Sequence, residues 1–124
     1  MESLGRHIVV DVINCDKDIL NDANFLKETI ELSAIKANAT VLNIESRTFQ
    51  PQGVTVYCLL EESHISIHTW PEHGVALIDA FTCGSKCKPE DAIEYIMDKI
   101  KGISENYIYL KRGIGHNELG EEKI

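Results

Sequence analysis

With 124 residues, 44% of them hydrophobic, the chain is long enough for one domain with one buried core and too short for two ordinary domains. Twelve basic against 20 acidic residues give a net charge of -8, which argues against a nucleic-acid partner and suits a small cationic ligand. No apolar run approaches the ~18 residues of a membrane span, and the start Met-Glu-Ser-Leu-Gly-Arg-His lacks the apolar stretch of a secretory signal, so a cytoplasmic protein with free thiols at Cys15, Cys58, Cys83 and Cys87 is expected.

His7 to Ile13 is rich in Val and Ile and predicts a strand, closed by a turn at Asn14-Cys15-Asp16. From Asp22 onward, Leu26, Ile30, Ala34 and Ala37 recur at helical spacing between charged residues, with Asn21 or Asp22 to cap the start and Asn38 at the end. Thr40 to Phe49 alternates, Leu42 and Ile44 on one face and Asn43, Glu45 and Arg47 on the other, until Pro51-Gln52-Gly53 forces a turn. Val54 to Leu60 is apolar and β-prone, and only Glu61-Glu62-Ser63 separates it from the next strand.

After a break at Pro71 and Gly74, Val75 to Thr82 predicts a further strand. Pro89 suits the first turn of a helix, whose stripe Ala92, Ile93, Ile96, Met97 and Ile100 stops at Gly102. Tyr107 to Leu110 predicts a last strand, and the tail from Gly113 to Ile124 has no period and is expected to be disordered. The simplest architecture is α+β: a two-layer sandwich, mainly antiparallel, with the helices packed on one face of the sheet.

Chemistry concentrates in Glu62 to His73. As a strand, this segment puts His64, Ser66, His68 and Trp70 on one face and Ile65, Ile67 and Thr69 on the core face. Three readings compete. His64, His68 and His73 with Cys83 or Cys87 are metal-ligand types, but their spacing matches no familiar zinc pattern. His64 or His68 can activate Ser63 or Ser66 for attack on an acyl substrate, although the G-x-S-x-G setting of common hydrolases is absent. In the third reading Ser63 attacks the carbonyl of Glu62, giving an ester that elimination and hydrolysis convert into a broken chain with a terminal pyruvoyl group. That route needs a strained peptide at a turn, a base and donors for the oxyanion. Strand parity sets Ser63 on the isoleucine face, and only a turn there frees it to react.

Several short strings in one order point the same way: Ser3-Leu4-Gly5-Arg6-His7, Phe49-Gln50-Pro51-Gln52-Gly53-Val54, Glu62-Ser63-His64, Ile67-His68-Thr69-Trp70-Pro71-Glu72 and Phe81-Thr82-Cys83-Gly84. In these the chain resembles the prokaryotic S-adenosylmethionine decarboxylases, pyruvoyl-dependent enzymes made as proenzymes. The resemblance implies cleavage between Glu62 and Ser63 into a β chain (1–62) and an α chain (63–124), with Ser63 becoming the covalent pyruvoyl cofactor that forms a Schiff base with the substrate. It implies proton transfer by His68 in processing, support from Thr55 where the family usually has serine, and Cys83 as proton donor in decarboxylation. Phe49, Ile65, Trp70 and Glu72 match positions that bind S-adenosylmethionine, and no metal is implied. The product would be the aminopropyl donor of spermidine synthesis, and the assembly a homodimer of processed αβ protomers. Two other readings stay open: a pyruvoyl decarboxylase of ornithine or arginine, for which the nucleoside contacts at Phe49, Trp70 and Glu72 would be dispensable, and an unprocessed regulatory paralogue.

Overall fold

The computed structural model describes residues 3–113, so the expectation for the tail beyond Gly113 lies outside the described residues. Strands β1 (Gly5–Ile13), β2 (Val41–Thr48), β3 (Val54–Leu60), β4 (Ser63–Trp70), β5 (Val75–Cys83) and β6 (Ile103–Arg112) form one sheet in the order β2-β3-β4-β5-β1-β6. All neighbouring pairs are antiparallel. Helices α1 (Lys17–Leu20), α2 (Ala23–Lys36) and α3 (Pro89–Ile100) complete the fold, with α2 and α3 on one face of the sheet. This is the two-layer α+β sandwich expected from the sequence.

The strand alternation decides which face the helices cover. Ile8, Val10 and Val12 of β1, Val54, Val56 and Cys58 of β3, Ile65 and Ile67 of β4, and Ala76, Ile78 and Ala80 of β5 are buried. They form one core with Leu26, Ile30 and Ala34 of α2 and Ile93, Ile96 and Ile100 of α3. Asp22 caps α2 by accepting from the Phe25 N–H at 3.0 Å. That cap contributes about 1 kcal/mol, whereas each buried Leu or Ile contributes roughly 1.5–3 kcal/mol. Packing rather than capping therefore holds the helices. The other face carries the side chains of alternate positions and, among the described residues, no helix.

Four details differ from the sequence expectation. Leu42 and Ile44 do not share a face, because a bulge between Val41 and Asn43 resets the alternation. Val41 and Ile44 pack on the core instead, and Leu42 is 57% exposed. The single-turn helix α1, capped by Asp16, is too short to leave a periodic signal. At the end of α3 the left-handed residue is Lys101, with φ 60°, and Gly102 has another duty. A Cβ on Gly102 would stand 2.3 Å from Val12 Cγ1 and 2.7 Å from Cys15 Sγ, so the glycine is required for close packing. Finally, β6 runs well beyond Tyr107–Leu110, since pairing with β1 sustains it through an irregularity around Asn106, φ 55°.

Thr69 ties three elements together. Its buried hydroxyl accepts from the Val54 N–H at 2.9 Å and donates to the Leu20 carbonyl at 2.7 Å. Thr69→Val keeps the shape but strands both backbone partners, and is expected to lower stability by about 1–3 kcal/mol in urea unfolding monitored by circular dichroism. An unchanged midpoint would show that those groups find other partners.

Candidate active site

The chain reverses between β3 and β4 in two residues, Glu61 and Glu62, with Leu60 opposite Ser63. The turn is pinned from outside: the Glu61 N–H donates to the Thr40 carbonyl, and the Thr40 N–H donates to Glu62 Oε1, both at 2.9 Å. Ser63 emerges with φ 149°, a backbone region in which a Cβ is penalised by about 1–3 kcal/mol. Ser63 is also opposite Thr82 on β5, so the next rung sets Glu62 beside Cys83. There the Glu62 carbonyl accepts from the Cys83 N–H at 3.0 Å and from the Cys83 thiol at 2.9 Å. Only a protonated thiol can donate in this way. A shallow groove of about 480 Å³ opens over Ser63, Cys83 and Phe81.

A strained peptide at a turn, with its carbonyl between two donors, meets two of the three requirements of an attack by Ser63 on its own chain. The positive φ also releases Ser63 from strict alternation: its Oγ lies 3.3 Å from Nδ1 of His64, a residue of the uncovered face. His64 is stacked on Tyr57, with ring centroids 5.6 Å apart, and inclined to Phe81.

The other expected residues gather at the far end of β4. His68 and Thr55 are direct cross-strand partners, and Thr55 Oγ1 lies 3.0 Å from His68 Nδ1. Threonine thus presents its hydroxyl to the imidazole. Phe49 and Trp70, 48% and 41% exposed, line a groove of about 410 Å³ together with His68, Thr55 and Glu72. Gly53, at φ 114°, closes the loop that carries Phe49: the Phe49 N–H donates to its carbonyl, and its own N–H donates to Asn21 Oδ1. Pro71 opens a short 3-10 turn that carries Glu72. Ile65 stands apart from these residues. Its side chain is fully buried under the helices and reaches neither groove, so only its main chain is available to a ligand.

The expected residues therefore fall into two groups within one chain, and the groups do not meet. Ser63 and His68 are five residues apart on one extended strand, about 17 Å at ~3.3 Å per residue. The histidines weighed as metal ligands, His64, His68 and His73, do not converge. Among the described residues the one triad with metal-ligating spacing is His7, His64 and Asp79. Sequence reading gave His7 no role and passed over Asp79, although Asp79 is the single charged residue of β5. Of the thiols, Cys15 and Cys58 are buried, and burial pushes both up to about 11. Burial also raises Cys87, with Glu62 and Cys83 adding to the effect, while Cys83 is exposed.

Fold and hairpin together define the class: a two-layer α+β domain that holds the carbonyl preceding a serine between two donors, the arrangement backbone acyl transfer requires. The family model for S-adenosylmethionine decarboxylase matches residues 6–113. An S-adenosylmethionine decarboxylase proenzyme of Synechococcus sp. strain WH7803 is 48% identical over 101 residues, 82% of this chain and 79% of that protein. S-adenosylmethionine decarboxylase proenzyme 2 of Halalkalibacterium halodurans is 37% identical over 124 residues, 100% of this chain and 98% of its own. The crystal structure of the adenosylmethionine decarboxylase from Aquifex aeolicus VF5 superposes with a TM-score of 0.86 at 37% identity, covering 93% of this chain and 95% of that one. The chain belongs to the S-adenosylmethionine decarboxylase family.

The thiols give a direct check on this geometry. Brief iodoacetamide treatment of the native protein near neutral pH is expected to alkylate Cys83 alone, and all four cysteines after denaturation, read by peptide mass spectrometry. Equal labelling of Cys58 in the native protein would contradict the burial described here.

Proposed function

We propose that the chain is a proenzyme that cleaves itself between Glu62 and Ser63 and then decarboxylates S-adenosylmethionine through the pyruvoyl group that Ser63 becomes. The observation that carries this reading is the Glu62 carbonyl, held by the N–H and the thiol of Cys83 beside a serine at φ 149°. Attack by Ser63 Oγ puts negative charge on that carbonyl oxygen, where both donors already point, and leaves Glu62 esterified to the serine. Removal of the Ser63 α-proton then expels the Glu62 carboxylate, and water displaces ammonia from the new terminus. The residues fit the group that results: it would stand at the head of β4, next to Cys83 and open to the groove.

A pyruvoyl ketone supplies an electrophile for the substrate amine and a sink for the electrons left when carbon dioxide departs. The protein supplies the rest. With Glu62 gone as an acceptor, the Cys83 thiol is free to give its proton to the substrate carbon. Phe49 and Trp70 offer aromatic faces to the adenine and to the sulfonium, a cation-π contact worth on the order of 0.5–2 kcal/mol. Glu72 accepts from ribose hydroxyls. The cytosol keeps the thiols reduced.

The working unit is a homodimer. About 17 Å of strand separates Ser63 from His68, too far for one chain to join them. A two-fold axis through the uncovered face, near the middle of β4, sets the Ser63 end of one protomer against the Phe49, His68 and Trp70 end of its partner. That face already exposes Tyr57, Leu59, Leu77 and Ile108. His68, oriented by Thr55, then takes the α-proton of the partner's Ser63 during elimination. Among the described residues no helix is long and apolar enough to cross a membrane.

Two experiments test the reading. Ser63→Ala abolishes cleavage and activity together. Cys83→Ala keeps the backbone donor, so cleavage slows but continues, while turnover of the processed protein falls by roughly 10²–10⁴-fold. A Ser63→Ala protein that still decarboxylated S-adenosylmethionine would end the proposal. Sharing of the site is tested by co-expressing Ser63→Ala and His68→Ala chains with different tags. Each alone stays intact, and in the mixed dimer the His68→Ala chain alone is cut. If the mixed dimer forms and neither chain is cut, the two half-sites are not shared.

A further inference from the structure

Serinolysis begins with loss of the Ser63 hydroxyl proton, and His68 of the same chain is out of reach. Next to Ser63 lies a chain of side chains from four strands that the family roles above leave unused. Ser63 Oγ is 3.3 Å from His64 Nδ1, and His64 Nε2 is 3.3 Å from Asp79 Oδ1. The same Asp79 oxygen is 2.6 Å from His7 Nε2, and Arg112 closes the chain, its NH1 3.1 Å from His7 Nδ1.

The donors fix the direction of every link. Guanidinium can only donate, so His7 Nδ1 accepts and its Nε2–H donates to Asp79. Ionised Asp79 only accepts, so His64 also donates through Nε2–H, which leaves the Nδ1 lone pair facing the Ser63 hydroxyl. Register puts His7, His64, Asp79 and Phe81 on the uncovered face, and the Tyr57 and Phe81 rings limit how far the His64 imidazole can turn. The order serine, imidazole, carboxylate is the arrangement that activates hydroxyl nucleophiles in general.

Resting on the functional reading above, we propose that His64, oriented by Asp79 and His7, is the base that activates Ser63 within its own chain. The Ser63 O–H bond breaks and its proton passes to His64 Nδ1 as Oγ bonds to the Glu62 carbonyl carbon. The carbonyl π electrons move to oxygen, beneath the two Cys83 donors. Asp79 faces the imidazolium so formed. When the bond from Glu62 carbon to Ser63 nitrogen breaks, that nitrogen takes the proton back from His64, leaving the ester with nothing oxidised or reduced. Two histidines then divide the processing: His64 serves the attack, and His68 of the partner subunit serves the later elimination.

The test follows the rate of cleavage by intact mass after rapid purification of newly made full-length protein. His64→Gln, which keeps bulk and hydrogen bonding but takes no proton, is expected to cleave at least ~10²-fold more slowly, with circular dichroism and sedimentation unchanged. His64→Ala is expected to recover speed with added imidazole, which a merely structural role would not produce. Should either variant misfold, Asp79→Asn serves in its place and slows cleavage by a smaller factor. Wild-type speed in a folded His64→Gln protein overturns the proposal, as does wild-type cleavage that stops with EDTA, which would give His7, His64 and Asp79 to a metal ion. If the wild-type chain does not cleave at Glu62 at all, the functional reading falls first and this inference with it.

Discussion

The contact on which the site depends is that between the Glu62 carbonyl and Cys83, and it is a product of strand register. Ser63 pairs with Leu60 on one side and Thr82 on the other, so the last turn residue meets Cys83. A slip of one residue in the β4–β5 pairing would turn the thiol to the other face and leave the carbonyl without its two donors. The pins from Thr40, the two-residue turn and the buried Thr69 serve to hold that register. Strain at Ser63 is tolerated because the neighbouring strands over-determine its position.

The second organising feature is the one-sided cover. Helices α2 and α3 take the apolar positions of the sheet, and stability resides there. The uncovered face holds an imidazole and carboxylate cluster at one end of β4, His68 with Thr55 at the other, and apolar side chains such as Leu59 and Leu77 between and beside them. An exposed apolar surface of this kind marks an interaction site. In the proposed dimer it is what brings two incomplete half-sites together, so assembly and chemistry share a surface.

The layers and most elements were legible because they follow from periodicity: the α3 stripe from Ala92 to Ile100 and the alternation of Ile65, Ile67 and Thr69 are direct prints of burial. What escaped the sequence were departures from period. The bulge at Val41 to Asn43 exposes Leu42, and Asn106 re-phases β6, features that pairing partners impose. The candidate residues were legible through short strings, yet their spatial division into two groups was not. Linear proximity of Ser63 and His68 suggests one site, whereas an extended strand carries them apart. Conversely, His7, Asp79 and Arg112 are remote in sequence and become neighbours of His64 only through the β1–β5, β4–β5 and β1–β6 pairings.

The most direct test of the central claim is the intact mass of the purified 124-residue protein under denaturing conditions. The account predicts two fragments, residues 1–62 ending in a free Glu62 carboxylate and residues 63–124 lighter by one ammonia than a chain that begins with serine. A single uncut chain, or a second fragment with an intact N-terminal serine, would contradict it.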